Sequence, residues 1–298
     1  MRTLVIGAGA VGCYYAAMLE RAAQPVMLLG RPRQAEVIAR EGLLLETDRG
    51  CERLAVPVTT SLAAAADADL LLVCVKSGDT ESLGRELAPH LSADACVLSL
   101  QNGIDNAERL SAVIGRPVIP VVVYVAVAMV ATGHVRHHGR GDLLIGASPH
   151  SAAIAALLNA AFIPTTVSDD VRVAQWRKLI VNCAVNALSA IAQRSYGDLA
   201  RQQGVLDLMS AAAAECIAVA RAAGVPIDDD PRIAIDAIIA TMPGQRSSTA
   251  QDLAAGRATE IDHLNGFVVR TGERLQVPTP VNRCLLTLVQ LLERDRPR

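Results

Sequence analysis

Thr3-Leu4-Val5-Ile6-Gly7-Ala8-Gly9-Ala10-Val11-Gly12 runs from an apolar stretch straight into three spaced glycines. The apolar residues before Gly7 read as a short buried strand, and the periodicity of Val11–Arg21 reads as a helix. A G-x-G-x-x-G in that strand–turn–helix setting has a physical purpose at each glycine. Gly7 permits the tight turn, Gly9 lets the backbone approach a pyrophosphate, and Gly12 lets the helix pack close to the sheet. Ala8, Ala10 and Val11 complete the loop. The start of the helix offers free N–H groups and a partial positive charge to phosphates. The setting predicts a dinucleotide-binding loop; a glycine-rich turn in an unrelated α/β protein is the alternative.

Outward from this loop, residues 25–29, 70–75 and 96–100 read as further strands, with a helical stretch over 80–91. Strands alternating with helices predict parallel pairing through right-handed crossovers. Residues 42–60 read as a hairpin around Asp48-Arg49-Gly50, and 118–145 as two strands turning near Thr132-Gly133. After about residue 169 the period becomes helical: 171–193, 204–223, 231–240 and 248–276. The expected fold is therefore α/β: a Rossmann-like doubly wound sheet over residues 1–168, followed by an all-helical domain over 169–298.

Composition narrows the function. Of 298 residues, 51% are apolar and 19% charged, which supplies a sizeable core and excludes a disordered chain. The formal net charge of −2 gives no bulk positive field, and 2% aromatics supply no stacking platform, so nucleic acid is not expected as a partner. The longest apolar run, 118–131, is interrupted by Pro120 and too short for a helix to cross a bilayer. No membrane partner and no signal peptide are expected. Seven scattered cysteines without a C-x-x-C suit reduced thiols in the cytoplasm. His134, His137 and His138 lack the carboxylate–His spacing of a metal site, so no metal is expected. The apolar helices of the second half are compatible with a homodimer.

Three further segments carry chemistry. Gly30-Arg31-Pro32-Arg33 stands where an NAD enzyme usually carries an acid for the ribose hydroxyls. An Arg there suits a 2′-phosphate, which points to NADP(H). Lys76 and Gln101-Asn102-Gly103 follow two other strands, at the end of the sheet where ligands bind. In the helix 176–186, Lys178, Asn182 and Asn186 recur every four residues among Leu179, Ile180, Val181 and Val185. Each step drifts by only about 40°, so a cation and two amides share one side of an apolar helix. Such a stripe can hold a substrate with carbonyl or hydroxyl groups; a solvated face is the alternative.

These segments together resemble the ketopantoate reductase (2-dehydropantoate 2-reductase) family. The resemblance rests on GAGAVG at 7–12, VCVKS at 73–77, QNG at 101–103, WRKLIVNCAVNALSA at 176–190, SSTAQDLAAGRATEIDHLNG at 247–266 and VPTPVN at 277–282. It implies NADPH-dependent reduction of a small keto acid, ketopantoate, to its hydroxy acid in pantothenate synthesis. It also implies site residues. The glycine loop, Arg31, Lys76, Asn102 and Glu260 would contact the cofactor, and Lys178 would be the general acid. Asn102, Asn182, Asn186 and Ser248 would contact the substrate with it. An alanine within 125–129 would line the nicotinamide pocket. Tyr196 and Gln245 stand where many relatives carry Asn. Another small keto or hydroxy acid as substrate, or an NADP(H)-binding sensor without turnover, are the alternatives. Ser248-x-x-Gln251 also reads as a helix capping box, and Gly256 as a break between Ser248 and Glu260.

Overall fold

Thr3–Ile6 forms β1 with every side chain buried. Period-two alternation splits this run between two layers: Val5 joins the core on one face of the sheet, Leu4 and Ile6 the core on the other. A strand covered on both faces needs such an unbroken apolar run. The computed structural model describes residues 1–228 and 230–294, which fall into two units, Met1–Val171 and a second from Arg172 onward.

In the first unit β1 is joined by β2 (Val26–Leu29), β3 (Leu43–Thr47), β4 (Gly50–Leu54), β5 (Val58–Thr59), β6 (Leu70–Val73), β7 (Cys96–Ser99), β8 (Ile119–Ala131), β9 (His134–Gly146) and β10 (Thr165–Ser168). The helices are α1 (Ala10–Arg21), α2 (Pro32–Glu41), α3 (Thr80–Leu87), α4 (Asn106–Ile114) and α5 (Ser151–Ala160). The sheet order is β4-β3-β9-β8-β7-β6-β1-β2-β5, with β10 on β9. β1 lies parallel to β2 on one side and β6 on the other, with Thr3 opposite both Val26 and Leu70. The strand order thus reverses at β1, and the crevice beyond its carboxyl end is where open parallel sheets take ligands.

Two expectations change here. The hairpin read over 42–60 ends at β4: Thr47 faces Gly50, but Val58–Thr59 leaves and pairs with β2 on the opposite edge. Pro57, which cannot donate to a ladder, marks the departure, and its carbonyl accepts from the Leu28 N–H at 2.8 Å. The stretch read as a helix to residue 91 ends at Leu87, with a 3₁₀ turn over Ala88–His90 around Pro89.

The second unit holds α6 (Val171–Ala192), α7 (Tyr196–Ala200), α8 (Val205–Ala222), α9 (Pro231–Thr241), α10 (Ser248–Ala254), α11 (Asn265–Leu275) and α12 (Pro280–Arg294). The long helix read over 248–276 is broken. Gly256 takes φ +66°, and the Arg257 N–H turns back to the Asp252 carbonyl at 2.9 Å, which ends α10. A 3₁₀ turn, Ile261–His263, then precedes α11.

A buried polar chain ties four of these helices. Asn265 Nδ2 donates to the Cys183 carbonyl of α6 (3.2 Å) and to Asn282 Oδ1 of α12 (3.0 Å). Asn282 Nδ2 donates to the Ala212 carbonyl (3.0 Å) and Glu215 Oε2 (2.8 Å) of α8. The Glu215 carboxylate also accepts from the N–H groups of Val281 (2.8 Å) and Asn282 (2.9 Å), where a helix start favours negative charge.

Candidate functional site

The glycine loop is shaped by close contacts of backbone on backbone. Gly7 has φ +111°, and a Cβ there would lie 3.0 Å from the Cys74 carbonyl carbon and the Val75 nitrogen. A Cβ at Gly12 would overlap the Gly7 carbonyl oxygen. Gly9 is different: a Cβ there would meet nothing within 4 Å. Gly9 is the N-cap of α1 without a side-chain cap, and the first helical bond is Cys13 N–H to Gly9 O at 2.9 Å. The N–H groups of Ala10, Val11 and Gly12 precede that bond, so the helix start faces open space with donors and a partial positive charge. The loop fits a pyrophosphate on steric and electrostatic grounds alike.

Neighbouring turns brace the loop. A Cβ at Gly30 would sit 2.9 Å from Ala8 Cβ, so the end of β2 presses directly on the loop. Gln34 Nε2 donates to the Ala8 carbonyl at 2.9 Å, and Gln34 Oε1 accepts from the Arg31 N–H at 3.1 Å. Arg31 caps α2 with an exposed side chain whose Nη2 lies 3.5 Å from Asp79 Oδ2.

Lys76 and Asn102, both half-buried, sit on two loops tied together by buried polar groups. Ser77 Oγ (2.9 Å) and Asn106 Nδ2 (2.6 Å) both donate to the Asn102 carbonyl. Asn106 Nδ2 also lies 3.1 Å from Ser77 Oγ, and Asn106 Oδ1 accepts from Arg109 Nη1 at 3.1 Å. Arg109 Nη2 donates to the Ser77 carbonyl at 3.0 Å, and its guanidinium makes two 2.6 Å bonds to Glu81. Gln101 Nε2 reaches Thr80 Oγ1 at 2.8 Å. None of Asn106, Thr80, Arg109 or Asp79 was singled out from sequence. The available signal was an Asn four residues past Asn102, at a helix start where a buried amide needs partners.

In the second unit Lys178 and Asn182 are half-buried and Asn186 is buried, one helical turn apart on α6. Leu179, Ile180, Cys183, Ala184 and Val185 are all buried beside them. Trp176, fully buried, packs edge-on against Phe267 with ring centroids 5.8 Å apart. The cap of α10 is Ser247, not Ser248: Ser247 Oγ accepts from the Ala250 N–H at 3.0 Å, and Gln251 Nε2 turns to the Arg246 carbonyl at 3.0 Å. Ser247 is also the anchor to α6, donating from Oγ to the Asn186 carbonyl at 3.0 Å. Ser248 is therefore the first helical residue, exposed, on the turn fastened to Asn186. Glu260 is half-buried at the head of the 3₁₀ turn. Tyr196 and Gln245 are brought together, the Tyr196 N–H donating to the Gln245 carbonyl at 3.0 Å. Burial pushes the Tyr196 hydroxyl well above its ordinary pKa.

Residues 125–129 fall in β8, where its register against β9 shifts between Tyr124 and Val125 and between Ala126 and Val127. Such bulges re-aim side chains and are common beside active sites. Among the described residues, no three His, Cys, Asp or Glu side chains are grouped to hold a metal ion, and no helix is long and apolar enough to cross a membrane. His134 instead pairs with Glu46 at 2.8 Å, and His137 stacks on Tyr14.

Residues 3–150 match the family model "Ketopantoate reductase PanE/ApbA", and residues 170–293 match "Ketopantoate reductase PanE/ApbA C terminal". The chain belongs to the ketopantoate reductase family. A 2-dehydropantoate 2-reductase of Halobacterium salinarum is 34% identical over 303 residues, covering 99% of this chain and all of the relative. One from Vibrio cholerae is 31% identical, covering 99% of each. The crystal structure of a PanE/ApbA family ketopantoate reductase from Ralstonia eutropha superimposes with a TM-score of 0.94 at 51% identity, covering 99% of both chains. A D-mandelate dehydrogenase shares the fold, with a TM-score of 0.92 at 23% identity and 99% coverage of both chains. Ketopantoate reductases are oxidoreductases that work with a nicotinamide cofactor, and the glycine loop described above fits one.

Proposed function

We propose that the chain reduces 2-dehydropantoate (ketopantoate) to (R)-pantoate with NADPH in the cytoplasm, with Lys178 as general acid. The observation that carries this is α6, a 22-residue helix with an apolar surround in which Lys178, Asn182 and Asn186 stand one turn apart. Polar side chains among so many buried neighbours are retained only where they are hydrogen-bonded or used.

The roles divide by chemistry. Residues 1–168 bind the cofactor and 169–298 the substrate. The loop from Gly7 to Gly12, through Ala8, Gly9, Ala10 and Val11, holds the pyrophosphate on backbone N–H groups. The Arg31 fork suits a 2′-phosphate better than a point charge would. Lys76, Asn102 and Glu260 complete the contacts. When bound, NADPH would supply the hydride that reduces the ketone carbon. Charge develops on the ketone oxygen, and the Lys178 ammonium stabilises it there and then gives up a proton. The amides of Asn182 and Asn186 fix the orientation of the keto acid, Asn102 meets it as well, and Ser248 Oγ donates to its carboxylate.

The test follows NADPH oxidation by absorbance with ketopantoate, pyruvate and ketoisovalerate. The expected result is turnover with ketopantoate above the others. Lys178→Ala is expected to lower kcat by about 10²–10⁴-fold while NADPH binding persists. Near-normal turnover in that variant removes the Lys178 assignment. Oxidation with a different acid only transfers the chain to another small keto acid, and NADPH binding without any oxidation makes it a sensor.

A further inference from the structure

Asp79 occupies a position where an aspartate ordinarily caps a helix. It is the N-cap of α3, and Asp is among the residues that most often satisfy the first N–H groups of a helix. Its side chain makes no capping bond. Oδ2 lies instead 3.5 Å from Arg31 Nη2, in a pair left 51% and 84% exposed. Arg31 follows β2 and Asp79 follows β6, the two strands that flank β1 and its glycine loop.

We infer that Asp79 sets the choice between the phosphorylated and unphosphorylated nicotinamide dinucleotides. The inference rests on the reading that places Arg31 at the adenosine end of the cofactor. No acid stands in the turn Gly30-Arg31-Pro32-Arg33 after β2, which by itself points to a 2′-phosphate. The fold returns an acid to the same guanidinium from the loop after β6. A carboxylate there occupies and neutralises the arginine that a phosphate would use, and it repels the phosphate's own charge. The same carboxylate is the acceptor that ribose hydroxyls require. An ion pair so exposed contributes little to stability, so it is open to exchange of partners. Asp79 therefore holds the preference for NADPH down and keeps NADH usable.

The experiment measures the Kd of NADPH and of NADH by nicotinamide fluorescence, without any keto acid, for the native chain, Asp79→Asn and Arg31→Ala. Asn keeps the shape and remains a favoured N-cap residue, so the start of α3 is preserved. Asp79→Asn is expected to tighten NADPH by about three- to tenfold and to weaken NADH by about threefold, as loss of one exposed charge and one acceptor requires. An unchanged ratio of the two Kd values in Asp79→Asn overturns the inference, whatever Arg31→Ala does. Failure of the underlying reading has its own signature: Arg31→Ala then leaves NADPH affinity untouched. Because no keto acid is present, neither result depends on the identity of the substrate.

Discussion

Position 12 has no room for a methyl group. Besides the overlap with the Gly7 carbonyl oxygen, a Cβ there would lie 3.2 Å from the Gly7 carbonyl carbon and 3.3 Å from Cys74 Cβ. Gly12→Ala must push the first turn of α1 away from the end of β1, so it is expected to lower both Tm and NADPH affinity. Gly9 supplies the control. Its φ of −80° is open to any residue and a Cβ meets no protein atom within 4 Å, so Gly9→Ala loses only the N-cap preference for Gly over Ala, about 1 kcal/mol or less. The same methyl enters the space assigned to the pyrophosphate. Thermal melting and NADPH titration of the two variants should separate: Gly12→Ala loses both properties, Gly9→Ala loses affinity by about tenfold or more with Tm lowered only slightly. Unimpaired NADPH binding by Gly9→Ala would show that the phosphates lie elsewhere.

Asn106 shows how whole elements depend on one amide. It is 2% exposed at the start of α4; its Nδ2 joins the Asn102 carbonyl in the loop after β7 to Ser77 in the loop after β6, and its Oδ1 accepts from Thr80 at the start of α3. Asn106→Ala strips one of the two donors from the Asn102 carbonyl and an acceptor from Arg109. The expected cost is about 1–3 kcal/mol, measured by urea unfolding. A raised KM for NADPH should accompany it, because Lys76 and Asn102 ride on the two loops. Little of this joint was legible beforehand. The glycine turn, the parallel strands and the Lys178-Asn182-Asn186 stripe were readable because each is decided locally, by φ demands and by hydrophobic period. Asn106, Asp79 and the exit of β5 from the hairpin are decided by partners tens of residues away. Ser247 and Ser248 illustrate the boundary between the two cases. Either could cap α10 by sequence, and the carbonyl of Asn186, 61 residues upstream, selects Ser247. The break at Gly256 was legible as a permissive residue, but its use required the turn back to Asp252.

Across the whole molecule the seven thiols report on both units at once, because burial decides which of them a reagent can reach. Cys51 and Cys284 are exposed; Cys13, Cys96, Cys183 and Cys216 are buried and Cys74 is half-buried. Burial pushes the Cys13 thiol up to about 12. Burial likewise raises Cys74 and Cys96, and it raises Cys183 further, with Cys216 beside it adding to the effect. A raised thiol pKa keeps the proton on sulfur through neutral and mildly alkaline pH, and the thiolate is the form that attacks a disulfide reagent. The native chain at pH 8 should therefore release reagent quickly from Cys51 and Cys284 only, one in each unit, and from the others only after unfolding. Replacing both by Ser should abolish the fast phase. Cys183 gives this titration its bearing on the polar stripe of α6. It lies between Asn182 and Asn186 in sequence, about 100° round the helix from Asn182, on a packed flank where Asn265 holds its carbonyl. Fast labelling at Cys183 would mean that water reaches the packed flank beside the polar stripe, and a stripe wetted there could not hold Lys178 rigidly enough for the proton transfer proposed above.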